Sequence, residues 1–175
     1  MMKARRHRWI LPGPWRFALA PWRWSDSGAA LVEFTLLAPF LLFLSLGMSE
    51  FGRFLYQYQL VLDGVRDGAR YLARLYDPAD NSTLADQKKA NAKNLAVTGT
   101  IDGTGAARVD GWTAADVDFT VTAVDNSAGD YRGQTTLYIV QATTTFDYAD
   151  MGFLSVLGLP ALSVDATHMQ RAIGE

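Results

Sequence analysis

Residues 29–48 read AALVEFTLLAPFLLFLSLGM, an almost unbroken apolar run of 20 residues. At about 1.5 Å rise per residue a helix of that length spans roughly 30 Å, the thickness of a bilayer core. Only Glu33, Thr35 and Ser45 are polar. Lipid offers the backbone no hydrogen-bond partners, so a single run of this kind folds in a membrane only as a helix. A plain signal anchor satisfies that pattern. A cleaved secretory signal fits it less well, because the run is long for such a segment and no A-x-A site follows it. Pro39 lies mid-span and lacks an N–H, so a kink or loosened turn is expected over residues 35–39.

The charge distribution orients the run. Lys3, Arg5, Arg6, Arg8, Arg16 and Arg23 precede it, opposed only by Asp26, whereas the chain after it is acidic. A basic end before an apolar span places the N-terminus in the cytoplasm and the body outside. The overall net charge of -2 gives no general drive toward nucleic acid. With no cysteine in the chain, a disulfide framework and a Cys-ligated metal are excluded.

Glu33 is the anomaly of the span. A carboxylate within a spanning helix costs roughly 2.5–3.5 kcal/mol on insertion scales. Lying one turn inside the run, it either snorkels to the headgroups or pairs with a cation at its own depth.

Downstream of the run, Phe51, Phe54, Leu55, Tyr58, Leu62, Val65, Ala69, Leu72 and Tyr76 recur at spacings of three and four. This predicts one apolar stripe on a helix continuous with the span, from about 29 to 76 and roughly 70 Å long. Asp77-Pro78 ends it, since the residue before proline is pushed out of the α region. Asp63 with Arg66 and Asp67 with Arg70 are i,i+3 pairs. Gly64 and Gly68 weaken the helix by roughly 1 kcal/mol each, which implies close approach of another backbone. The domain's own sheet and a neighbouring subunit are the two candidates, with the sheet preferred.

Residues 80–97 predict a second, polar helix, with Thr83 and Asp86 as a capping box and Gly99 as the stop. Residues 98–114 are Gly-rich and read as loop; their G-T-G lacks the context of a phosphate loop. Alternating or β-branched stretches predict strands at 117–124, 135–146 and 161–169. Val117, Phe119, Val121 and Ala123 share one face of the first, and Leu162, Val164 and Ala166 one face of the last. The expected fold class is α+β, a small antiparallel sheet of about three strands packed on the helical stripe. The apolar stretch 150–159 is too short to span a bilayer and reads as a short helix or loop covering the sheet. A membrane-skimming or subunit-contacting surface is the second reading.

No catalytic constellation emerges. His7 precedes the span, and His168 reads as a surface strand residue, so no ligand pair or triad forms. Asp77, Asp80, Asp86, Asp116, Asp118 and Asp125 lack calcium-loop spacing and read as solvated carboxylates. The Trp- and Arg-rich stretch 14–24 reads as an interfacial anchor rather than a nucleic-acid contact.

The ordered elements G-A-A-L-V-E-F at 28–34, E-F-G-R at 50–53 and G-A-R-Y at 68–71 resemble the TadE/TadG-like proteins, minor pilin-like components of the tight-adherence (Flp) branch of type IV pili. The resemblance covers roughly residues 28–73. It implies that a prepilin peptidase cuts between Gly28 and Ala29, and that Glu33, fifth in the mature chain, pairs with the new α-amine of a neighbouring subunit. It also marks Phe34 and Pro39 for assembly, and Gly64, Gly68, Ala69, Arg70 and Tyr71 as a helix-packing signature. The implied organisation is a basic cytoplasmic leader (1–28), a transmembrane segment (29–48) and an extracytoplasmic pilin-like domain (49–175). The implied setting is the bacterial inner membrane, with other pilin-like subunits and the assembly machinery as partners, possible incorporation into a surface pilus, and no cofactor or enzymatic activity. The alternative is an uncleaved single-pass protein with a small extracytoplasmic binding domain.

Overall fold

The computed structural model describes residues 26–78 and 82–173. Residues 1–25 of the leader, with its Trp- and Arg-rich stretch and His7, and also Asp80, lie outside them. The chain forms two compact units, Met1–Leu41 and Leu42–Glu175. The described part of the first is wholly helical and belongs to α1 (Asp26–Leu75), which begins three residues before the expected start at 29.

The second unit holds the rest of α1, then α2 (Ser82–Thr98), a 3-10 turn (Ala114–Asp116), β1 (Val117–Asp125), β2 (Thr136–Asp147), α3 (Phe153–Val156) and β3 (Ser163–Arg171). The three strands form one antiparallel sheet in the order β1-β2-β3, with Val117 opposite Thr144 and Val164 opposite Phe146. This is the α+β fold that the hydropathy pattern implied. α1 ends at Leu75, ahead of Asp77-Pro78, and Gly99 follows α2 in a left-handed conformation, donating its N–H to the Leu95 carbonyl at 3.0 Å. α2 already includes Thr83, so that residue lies in the first turn rather than capping it.

The core lies between α1, α2 and the inner face of the sheet. It contains Val61, Val65, Ala69 and Leu72 of α1, Ala92 and Ala96 of α2, Val117 and Phe119 of β1, Val140 and Phe146 of β2, and Val164 of β3. Burying an aliphatic side chain of this size stabilises the fold by roughly 1.5–3 kcal/mol. The buried face of α1 is rotated from the expected stripe. Glu50, Gln57, Val61, Gly64 and Gly68 are inside, whereas Phe51 and Leu55 are exposed. The stripe of large side chains yields to the close approach of α2, which needs the face that carries the two glycines.

Other expectations change for local reasons. Asp67 pairs with Arg108 of the Gly-rich connection at 2.8 Å, while Asp63 and Arg66 pair as expected at 2.9 Å. That connection is more than loop. Its Trp112 is 1% exposed, stacks on Phe146 with ring centroids 6.0 Å apart, and donates its indole N–H to Thr144 Oγ1 at 2.9 Å. Thr144 passes the chain on to the Asp116 carbonyl at 2.8 Å, so the polar edge of a buried tryptophan is satisfied. In β1 the inward alternation holds at Val117 and Phe119, then fades, with Val121 half-buried and Ala123 exposed. His168 continues the inward alternation of Val164 and Ala166. It is therefore half-buried rather than on the surface, and its Nε2 has no hydrogen-bond partner among the described residues.

Candidate functional site

The residues singled out by sequence all fall on α1, in two groups. Gly28, Ala29, Glu33, Phe34 and Pro39 lie in the first unit, and all are exposed. The Gly28–Ala29 bond sits in the first turn of the helix, where fraying is easiest. Leu31, Phe34, Leu36 and Phe40 are each more than three-fifths exposed. A helix face this apolar is stable only against lipid or another protein. Among the described residues the Glu33 carboxylate forms no ion pair. Pro39 has no N–H for the Thr35 carbonyl, yet the helix continues through it. The Thr35 hydroxyl donates to the Leu31 carbonyl at 2.7 Å, a local bond that keeps a polar side chain satisfied within an apolar run.

Gly64, Gly68, Ala69, Arg70 and Tyr71 lie in the second unit. A Cβ on Gly64 would collide with the Ala96 carbonyl oxygen and come within 2.7 Å of the Trp112 ring. On Gly68 it would meet the Ala92 carbonyl oxygen and the Phe119 ring, each at 2.8 Å. Two small-residue pairs four apart, Gly64/Gly68 on α1 and Ala92/Ala96 on α2, thus face each other. The close backbone is that of α2 and not that of the sheet; β1 contributes only the Phe119 ring. Ala69 is fully buried, Arg70 is exposed, and the Tyr71 hydroxyl lies 3.4 Å from the Asn91 amide that donates to it.

Sequence reasoning gave Glu50 no role, yet it is the most enclosed carboxylate described, 4% exposed and two residues beyond the apolar run. It accepts the Tyr148 hydroxyl at 2.7 Å and the Met151 backbone N–H at 3.2 Å from each oxygen. Burial, then the hydrogen bond to and charge of Glu50, push the Tyr148 hydroxyl up to about 12. The Tyr148 ring meets Phe54 edge-on at 5.3 Å. Glu50 therefore pegs the β2–β3 connection to α1. Its place on the same helical face as Gln57, Val61 and Gly64 is the signal that could have revealed it.

Of the described residues, no three His, Cys, Asp or Glu side chains are grouped to hold a metal. The site that remains is α1 itself, an exposed apolar half followed by a buried half. Among the described residues one helix is long and apolar enough to cross a membrane, and its continuation into an α+β domain supports membrane association through a single pass. Residues 28–70 match the family model of TadE-like protein, so over that stretch the chain is similar to TadE-like proteins. The match begins at Gly28 and takes in Glu33, Pro39, Glu50 and both glycines, ending one residue before Tyr71. No curated protein and no solved structure matches the chain.

Proposed function

We propose that this chain is a pilin-like structural component of a tight-adherence pilus. It inserts with residues 1–28 in the cytoplasm, spans the membrane with 29–48 and carries its domain, 49–175, on the outer side. A prepilin peptidase cuts after Gly28. The α-amine of Ala29 then becomes the cation that Glu33 of a neighbouring subunit needs within the membrane. A buried charge of this kind is tolerable when paired and costly when alone. Phe34 and Pro39 belong to the same helix–helix surface.

One observation carries this reading. Glu33 is an exposed carboxylate, without an ion pair among the described residues, five positions after a glycine at which the TadE-like match begins. Intact-mass analysis of the protein extracted from membranes tests it. A mature chain beginning at Ala29 is expected. A chain that retains residues 1–28 would overturn processing and leave an anchored extracytoplasmic domain in its place. Gly28→Ala is expected to insert normally and to be processed less.

A further inference from the structure

The connection between β2 and β3 contains an uncharged stretch, MGFLSVLGLPAL at 151–162, which has only Ser155 as a polar side chain. Its apolar side chains mostly face outward. Val156 is 87% exposed, and Met151, Leu157, Leu159 and Leu162 are each more than two-fifths exposed. Leu154 alone reaches the edge of the core. The stretch holds the short helix α3, as the first sequence reading expected, and its Phe153 packs on α1. The Phe153 ring lies 5.1 Å from the Phe43 ring, and a Cβ on Gly47 would be 3.6 Å from it.

That contact fixes a depth. Phe43 and Gly47 belong to the apolar run that ends at Met48. Phe43 is five residues before that end, about 7.5 Å along a helix axis. Interfacial segments bury their apolar face about 5–10 Å into the headgroup and acyl boundary. A segment whose phenylalanine packs on Phe43 occupies that zone whenever the run occupies the bilayer.

The backbone suits that surrounding. Lipid penalises each unsatisfied N–H by several kcal/mol. Here the Met151 N–H donates to Glu50 and the Ser155 N–H to Asp150 at 2.9 Å. The N–H groups of Val156, Leu157, Gly158 and Leu159 donate to carbonyls within the segment, and Pro160 has none. The Ser155 hydroxyl also donates to Asp150, and these bonds hold the Asp150 carboxyl below its ordinary range. Ser155 is the one polar side chain on the exposed surface of the stretch, and it is bonded to Asp150.

We infer that residues 151–162 are a second membrane contact, a short foothold set in the outer headgroup zone beside the span and pegged there by Glu50. The inference goes beyond pilus assembly. It rests on the span alone and not on processing at Gly28, so either can fail without the other.

The absence of cysteine allows a direct test on the full chain in vesicles of phosphatidylethanolamine and phosphatidylglycerol. Single-cysteine variants Val156→Cys, Leu42→Cys and Ser127→Cys carry an environment-sensitive fluorophore, and a nitroxide-bearing lipid serves as quencher. Val156 is so exposed that the label does not disturb packing. Blue-shifted emission and lipid quenching are expected at Val156, as at Leu42 in the span, and neither at Ser127 in the β1–β2 turn. Water-like emission at Val156 without quenching would overturn the inference. So would emission shielded from water but not quenched by lipid, and growing with the protein-to-lipid ratio, because a second copy would then cover the segment.

Discussion

The two halves of α1 are built from similar residues and end in opposite surroundings. Between Leu31 and Met48 the large apolar side chains are 45–74% exposed, on every side of the helix. Between Val61 and Ala73 the buried ones fall to 0–2% and occupy one face. Apolar character alone therefore does not mark a core. What separates the halves is polar punctuation: Arg53, Asp63, Arg66 and Arg70 define a wet face in the second half, and nothing but Glu33, Thr35 and Ser45 interrupts the first. The second half gains its stability within the chain. The first half has value only through lipid or another subunit.

Perturbations should respect that boundary. The largest effect is expected for Trp112→Ala, which empties the space under Gly64 and should cost about 3–5 kcal/mol. Leu36→Ala, of an equally apolar residue in the first half that is 74% exposed, should leave the stability of the domain unchanged. Denaturant unfolding of the full chain in detergent micelles checks both. Equal losses would erase the distinction between the halves.

Glycines sharpen the same contrast within the second unit. Gly64→Ala forces a methyl into the Ala96 carbonyl and should cost about 1–3 kcal/mol. Gly52→Ala has open space around its Cβ and should instead stabilise the helix by up to about 1 kcal/mol. Opposite signs in parallel melts are the expected result.

The peg at the end of the apolar run gives a smaller, pH-dependent effect. Tyr148→Phe leaves Glu50 without its shortest hydrogen bond and should cost about 1–2 kcal/mol near neutral pH. The folded Tyr148 holds its proton more tightly than the unfolded one. Its contribution is thus fully present below the unfolded value of 10.0 and is lost as pH rises toward about 12. The stability gap between wild type and Tyr148→Phe should narrow across that window in alkaline unfolding curves. A gap that stays constant would remove the hydroxyl from the peg.

Much of the fold was legible because its signals are periodic. The span, the long helix, its end before Asp77-Pro78 and the three strands follow from spacing that backbone geometry imposes. The rotation of the buried face was not, since Gly64 and Gly68 signal that some backbone approaches but not that α2 is the element that does. Trp112 was lost inside a Gly-rich stretch because loop composition says nothing of what one large ring will fill. Glu50 was missed because a carboxylate beside a membrane reads as solvated until Tyr148, 98 residues later, is brought to it. The candidate site was read from local spacing alone. The residues of a membrane helix keep their meaning locally, whereas core residues acquire theirs from distant partners.

Glu33→Gln tests the division of labour most directly. The variant keeps the size of the side chain and removes only the charge that a neighbour's Ala29 amine would meet. Its amount in the membrane, its processed mass and its melting should equal those of wild type, while its recovery in cross-linked complexes with other pilin-like subunits should fall sharply. Recovery at the wild-type level would contradict the account, and the exposed half of α1 would then be an anchor alone.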